Sequence, residues 1–204
     1  MKSDRLSDRF RIAAREYPIF TAEVFFTWMF YLILAHNTPY GIDDWGWGGS
    51  VGIRWLIYAE LNSRYVGNLL EIIVARYPFL KTMMIGTLEM LLPVLSVQLV
   101  RRWVFLRRNK EWDDRTASGK LLLANLIFLT IPREVWRQTF RWIAGFSNYG
   151  LAAVLLLVYQ GILLDGMAPK KRFPFWYLVL CGFVGVGIQL VLENVTVFIM
   201  GLSI

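Results

Sequence analysis

The sequence predicts an all-α polytopic membrane protein with about five transmembrane helices, built as a single membrane domain over residues 1–204. Three observations carry that fold class. Hydrophobic residues make up 56% of the chain, above the roughly 45–50% usual in soluble domains. Charged residues gather between the apolar runs instead of interrupting them. Nine tryptophans and nine tyrosines suit side chains that rest at headgroup level, with an apolar body and a polar tip.

A span needs roughly 20 mostly apolar residues, and the segments follow in order. Residues 1–17 form a basic arm with Lys2, Arg5, Arg9, Arg11 and Arg15. Residues 18–36 are the first span. Residues 82–100 are the second, carrying Glu89 and Pro93 and ending at Arg101-Arg102. Residues 118–132 make a short third span, 149–164 a fourth and 175–192 a fifth. Proline and glycine inside such runs are tolerable, because neighbouring helices satisfy the freed backbone groups. No small-x-small cleavage site follows the first apolar run, so that span is expected to be retained.

Orientation follows from the basic residues. With the N-terminus in the cytoplasm, fifteen Lys and Arg fall inside and seven outside. The outer loops are then 37–81 and 133–148. The first opens on a turn-rich stretch, Asn37 to Tyr40 and Trp45-Gly46-Trp47-Gly48-Gly49. It continues from Val51 to Pro78 as apolar sequence with scattered charges, which predicts helices lying in the interface. In the second loop Trp136, Phe140 and Ile143 recur at helical spacing beside a stripe of Arg133, Arg137 and Arg141. This predicts a short interfacial helix, with Pro132 in its first turn.

Composition excludes several chemistries. The single cysteine, Cys181, and single histidine, His36, leave no disulfide, no multi-cysteine metal site and no two-histidine motif. No phosphate-binding glycine loop or dinucleotide fingerprint is present. The pI near 9.7 comes from residues flanking spans, so nucleic acid is not an expected partner; membrane lipid is. Two carboxylates can bind a divalent ion, but no third oxygen ligand is evident, and no cofactor is assigned.

The chemistry-bearing candidates lie on the outer side. Asp43 and Asp44 are adjacent acids that resist joint ionisation, and either can serve as general base; a solvated Asx-rich turn is the plainer account of the dipeptide alone. Trp45 and Trp47, read as exposed, need lipid, protein or sugar against them. Arg64, in the polar patch Asn62-Ser63-Arg64, has the guanidinium fork that matches phosphate, as does Arg133 with its stripe; attraction to anionic headgroups is the plainer account of the stripe. Glu89, at membrane depth, must face a partner or a wet cavity. Glu23 reads as structural. Ser147 or Asn148 is placed to cap the helix that re-enters the membrane before Tyr149. Glu193 and Asn194 end the last span level with the aspartates.

Four stretches together resemble a family of bacterial polytopic membrane proteins related to the GT-C-type glucosyltransferases that modify surface polysaccharides. They are Asp43-Asp44-Trp45; Asn62-Ser63-Arg64-Tyr65-Val66-Gly67; Trp142 through Tyr149; and Glu193-Asn194-Val195-Thr196. The resemblance implies transfer of a sugar from a polyprenyl-phosphate donor to an extracytoplasmic glycan or lipid, at a bacterial plasma membrane. It implies Asp43 or Asp44 as base or acceptor-holding group, Arg64 as phosphate or sugar contact, and Asn148, Tyr149 and Glu193 lining the pocket. The family's members carry many more spans, and their additional half helps hold the lipid carrier. The chain therefore reads as a compact relative, a subunit among other membrane subunits, or a truncated product. Two alternatives stand beside the enzyme. One is a non-catalytic subunit or a transporter or flippase component of envelope polysaccharide assembly, using Glu89, Gln98, Gln160 and Gln189. The other is a structural or regulatory membrane protein with incidental acids.

Overall fold

The structure is a computed structural model that describes residues 14–58, 64–166 and 174–191. Ten α-helices occur among the described residues. The first is α1, Pro18–His36. Three short helices follow: α2, Ile42–Gly48; α3, Ser50–Tyr58; and α4, Tyr65–Arg76. The long α5 runs Pro78–Arg108, and α6 runs Asp114–Leu129. A short α7, Arg133–Phe140, precedes α8, Ile143–Gly145. A π turn, Phe146–Gly150, joins α8 to α9, Leu151–Gly166. The last is α10, Phe175–Val191.

Three helices are long and apolar enough to cross a bilayer: α1, α5, and the continuous Ile143–Gly166. The other two segments expected to cross, α6 and α10, have 16 and 17 residues, under the roughly 20 of a full span. Exposed Phe25, Phe26, Ile33, Phe183 and Val186 give α1 and α10 outer faces suited to lipid and not to water.

Chain direction alternates through α1, α5, α6 and α9, so α2–α4 and α7–α8 collect at one end of the bundle. α1 lies along α5, and α6 packs on both. Gly86 sets the closest approach of α1 to α5: a Cβ there would sit 2.9 Å from the Leu32 backbone, and small residues allow such contact where no water drives helices together. The core beneath the cap comprises Ala35, Ile85, Leu92, Phe140, Ile143 and Phe146.

Charges inside this bundle are paired. Glu89 is 0% exposed and meets Arg141 at 3.2 Å. Arg141 also donates to Thr38 Oγ1 at 2.9 Å, and Lys81 Nζ donates to the Thr38 carbonyl at 2.5 Å. The expected partner for Glu89 is therefore an arginine from the outer stripe. At the opposite end Asp114 accepts from the Ile19 and Phe20 N–H groups at 2.8 and 2.9 Å, capping α1 from a distant segment. Ser118 donates to Glu23, which gives Glu23 the structural place expected of it.

Four local expectations are corrected. The Trp45–Gly49 stretch is largely helical, not turn, because Gly46 is used for packing: a Cβ there would lie 2.8 Å from the Trp55 ring. Ile143 does not share a helix with Trp136 and Phe140, since α7 stops at Phe140 and the chain is extended at Trp142. Pro132 stands at the N-cap of α7, one place before the first turn. Ser147 and Asn148 are not caps; they lie inside a helix that already starts at Ile143.

Removing Arg141 strands a buried carboxylate, which typically costs about 3–5 kcal/mol. Thermal unfolding in detergent should show Arg141→Ala as strongly destabilised, Glu89→Gln as less so, and the double variant as losing less than the sum. Strictly additive losses would refute the pairing.

Candidate functional site

Two helical faces meet at the capped end. On one, Arg64, Asn68 and Glu71 recur at i, i+4 and i+7 along the start of α4, the spacing of one helix face. On the other, Trp142, Gly145, Asn148 and Tyr149 follow the turns of α8 and the π segment. Between them lies a cavity of about 330 Å³, completed by Asp43 and Trp47 of α2 and Trp55 of α3. This is near the lower end of the roughly 300–1,000 Å³ typical of small-molecule sites. Gly67 lets the two faces close: a Cβ there would collide with the Asn148 amide.

The walls combine acid, base, amide and ring. The Arg64 guanidinium stands 5.6 Å from the Tyr149 ring centroid. The Trp47 and Trp55 rings pack edge to face at 5.2 Å. Asn148 donates through Nδ2 to the Ala144 carbonyl at 2.7 Å, which fixes the amide. Its buried Oδ1 has no hydrogen-bond partner among the described residues. The π turn itself, rare and concentrated at functional sites, delivers Asn148 and Tyr149 together.

Asp44 does not line this cavity. It is 1% exposed, and its Oδ2 accepts from the Gly41 N–H at 2.6 Å. Burial pushes its carboxyl up, while the N–H groups of Gly41, Ala144 and Ile143 pull the other way. The last two belong to the first turn of α8, so Asp44 sits at the positive end of the long re-entering helix. Trp142, the residue at the N-cap position, makes no side-chain cap bond there. Asp44 thus ties α2 to that helix and leaves its neighbour Asp43 facing the cavity.

Glu71 is the residue that sequence reasoning missed. It is 1% exposed, and both carboxyl oxygens lack a hydrogen-bond partner among the described residues. Burial, then the charges of Asp44 and Asp43, push it up to about 9. Its spacing from Arg64 was the available signal. Asn68, Trp55, Trp142, Ala144 and Gly145 are the other lining residues not singled out as candidates.

The expected site residues therefore divide. Asp43, Arg64, Asn148 and Tyr149 converge on one cavity. Trp45 is 70% exposed, its ring 5.2 Å from Tyr40 and outside the cavity. Trp47, expected to be exposed, is buried at 5% because Trp55 covers it. Arg133 is exposed at the start of α7 and does not reach the cavity. Asn62, Glu193 and Asn194 lie outside the described residues. No group of three His, Cys, Asp or Glu side chains placed to hold a metal occurs among the described residues. Comparison with family models, curated proteins and solved structures finds nothing that matches this chain.

The Glu71 value, raised from an ordinary 4.5, carries a sign for stability. Between about 4.5 and about 9 the folded protein keeps a proton that the unfolded chain releases, so stability falls as pH rises across that window. The expected slope from this group is about 1 kcal/mol per pH unit. Melting temperatures measured from pH 5 to pH 8 should decline for the wild type, with Glu71→Gln flatter and more stable at the alkaline end; parallel profiles would refute the buried proton.

Proposed function

We propose that the chain is a multi-pass glycosyltransferase of the GT-C type, moving a sugar from a polyprenyl-phosphate donor to a glycan or lipid on the outer face of a bacterial plasma membrane. The observation that carries it is the cavity's composition: three tryptophans and a tyrosine beside Asp43, Arg64, Asn68 and Asn148. Aromatic faces pack on the apolar faces of sugar rings, while carboxylates, amides and guanidinium groups bind hydroxyls and phosphate.

In this reading Asp43 is the base. The acceptor hydroxyl oxygen forms a bond to the anomeric carbon while the bond from that carbon to the phosphate oxygen breaks. The phosphate leaves with the electron pair as polyprenyl phosphate, and Asp43 takes the hydroxyl proton. Arg64 neutralises the departing phosphate, and Asn148 and Tyr149 orient the sugar. Asp44 is the positioning group that holds α2 against the re-entering helix.

The isoprenoid tail has a place beside this cavity. The other face of α4 borders an apolar groove of about 790 Å³, lined by Val66, Leu69 and Ile73 with Met83, Met84 and Leu151. One helix thus separates a polar chamber from an oily slot, which is the division a phosphate-linked lipid presents. The transporter alternative drew on Glu89, which is committed to Arg141.

Five spans, with α6 and α10 crossing alongside the three long helices, and a cytoplasmic N-terminus complete the proposal. Two tests follow. In proteoliposomes with a polyprenyl-phosphate sugar and acceptor, Asp43→Asn should lower transfer by about 10²–10⁴ with insertion intact; wild-type transfer by that variant overturns the assignment. In a Cys181→Ser background, a cysteine replacing exposed Trp45 should react with an impermeant thiol reagent added outside whole cells. Labelling only after lysis would reverse the orientation.

A further inference from the structure

Glu71 has no place in the steps above, yet it lines the cavity with both oxygens unpartnered among the described residues and is 1% exposed. A buried carboxylate in that state would be costly, whereas a neutral acid needs only one acceptor for its O–H. The charged and titratable groups around it reinforce this. Asp43 and Asp44 approach from α2 and are the charges acting on Glu71. Arg64, ahead of α4, and Tyr149, from the π turn, line the same cavity. Behind them the Asp44 charge acts on Lys81 of α5 and on Tyr40. Arg54 and Tyr58 of α3 do not line the cavity, Arg76 at the end of α4 is spent on the Gly48 and Gly49 carbonyls, and α10 contributes only Tyr177 and Cys181. Two acids thus crowd Glu71, and the cation that shares its cavity is stacked on Tyr149.

We propose that Glu71 is a ligand-binding residue held as the neutral acid, donating its O–H to an oxygen of the sugar in the cavity while the amide oxygen of Asn148 accepts from a neighbouring hydroxyl. The pairing selects a ligand that presents an acceptor and a donor side by side, as a hydroxylated sugar ring does and an apolar or purely anionic ligand does not. It gives the cavity a neutral acid beside the base: Asp43 takes a proton while Glu71 keeps its own. This rests on the sugar-transfer reading for its ligand class, and the test separates the two.

The full chain in lipid nanodiscs is titrated calorimetrically with a short-chain isoprenyl phosphoryl glucose, and its infrared carboxylic-acid band is recorded without ligand. At neutral pH the wild type should show a component of this band that Glu71→Gln lacks. Affinity should hold through neutral pH and fall about tenfold by pH 10, one unit beyond the value near 9. Glu71→Gln, which keeps a neutral donor, should bind as the wild type does at neutral pH and lose that alkaline fall. Glu71→Ala should bind about tenfold more weakly throughout, the worth of one hydrogen bond. A wild type without that component overturns the proposal, as does a Glu71→Gln variant that binds as weakly as Glu71→Ala at neutral pH. A wild type that shows the component but binds no probe overturns the sugar-transfer reading and leaves the Glu71 proton established.

Discussion

The arrangement of the capped end depends on one carboxyl group. Asp44 is buried where α2 meets the first turn of the re-entering helix, bonded back to Gly41 and facing the N–H groups of Ile143 and Ala144. A helix beginning inside a protein has N–H groups without intrahelical partners, and its first turn favours negative charge. Here a carboxyl from another loop stands near that first turn, so the electrostatic preference of one helix becomes a tertiary contact between two. Asp43 is aimed because Asp44 is fixed. The same device recurs at the other end of the bundle, where Asp114 caps α1. In a chain whose spans are held mainly by van der Waals packing, two such caps supply register that apolar faces alone leave loose.

The second constraint is how a membrane bundle accommodates ions. Thr38 receives Lys81 through its carbonyl and Arg141 through its hydroxyl, and Arg141 carries Glu89. Lys81 also stands 4.7 Å from the Tyr40 ring centroid. A side-chain ladder continues from this node along the seam of α1 and α6: the Tyr31 hydroxyl donates to Asn125, and Asn125 donates to Thr27. These bonds draw α1 and α6 together where greasy contact with lipid would serve either helix equally well. The cap therefore rests on a bundle with several of its polar groups paired, and Glu71 and Asn148 bring open hydrogen-bonding capacity to the cavity.

Much of the fold was legible because it depends on local composition. The apolar runs mark the long helices, and the charge asymmetry marks their ends. Arg64 was singled out because a polar patch in apolar surroundings is conspicuous, whereas Asn148 and Tyr149 entered as pocket residues through the family resemblance. The rest needed distance information. That Asp44 serves a helix in the other half of the chain cannot be read from Asp43-Asp44-Trp45, where two acids side by side look equivalent. Gly46 looks like a turn residue when only the sequence is read, and Gly67 passes as an ordinary position in an interfacial helix. Both are the clearances that admit the Trp55 ring and the Asn148 amide. Glu71 was overlooked because Leu69, Leu70, Ile72 and Ile73 around it suggest an apolar helix, although the Arg64–Asn68–Glu71 period was in view.

That period explains why α4 matters more than its 12 residues suggest. An amphipathic helix at an interface ordinarily turns its polar face to water and its apolar face to lipid. Here the polar face is covered by α2, α3 and the π turn, while the apolar face keeps Val66, Leu69 and Ile73 exposed along a groove bordered by α5 and α9. Water excluded from the polar side strengthens every electrostatic contact there, and it also raises the cost of each unpaired charge. A chamber lined by several full charges of one sign would be prohibitive. Burial and the neighbouring aspartates push the Glu71 carboxyl up, so the proposed neutral form would limit the crowding of like charge while keeping its hydrogen-bonding capacity. The cavity then keeps polar walls without gathering several like charges in one poorly hydrated space.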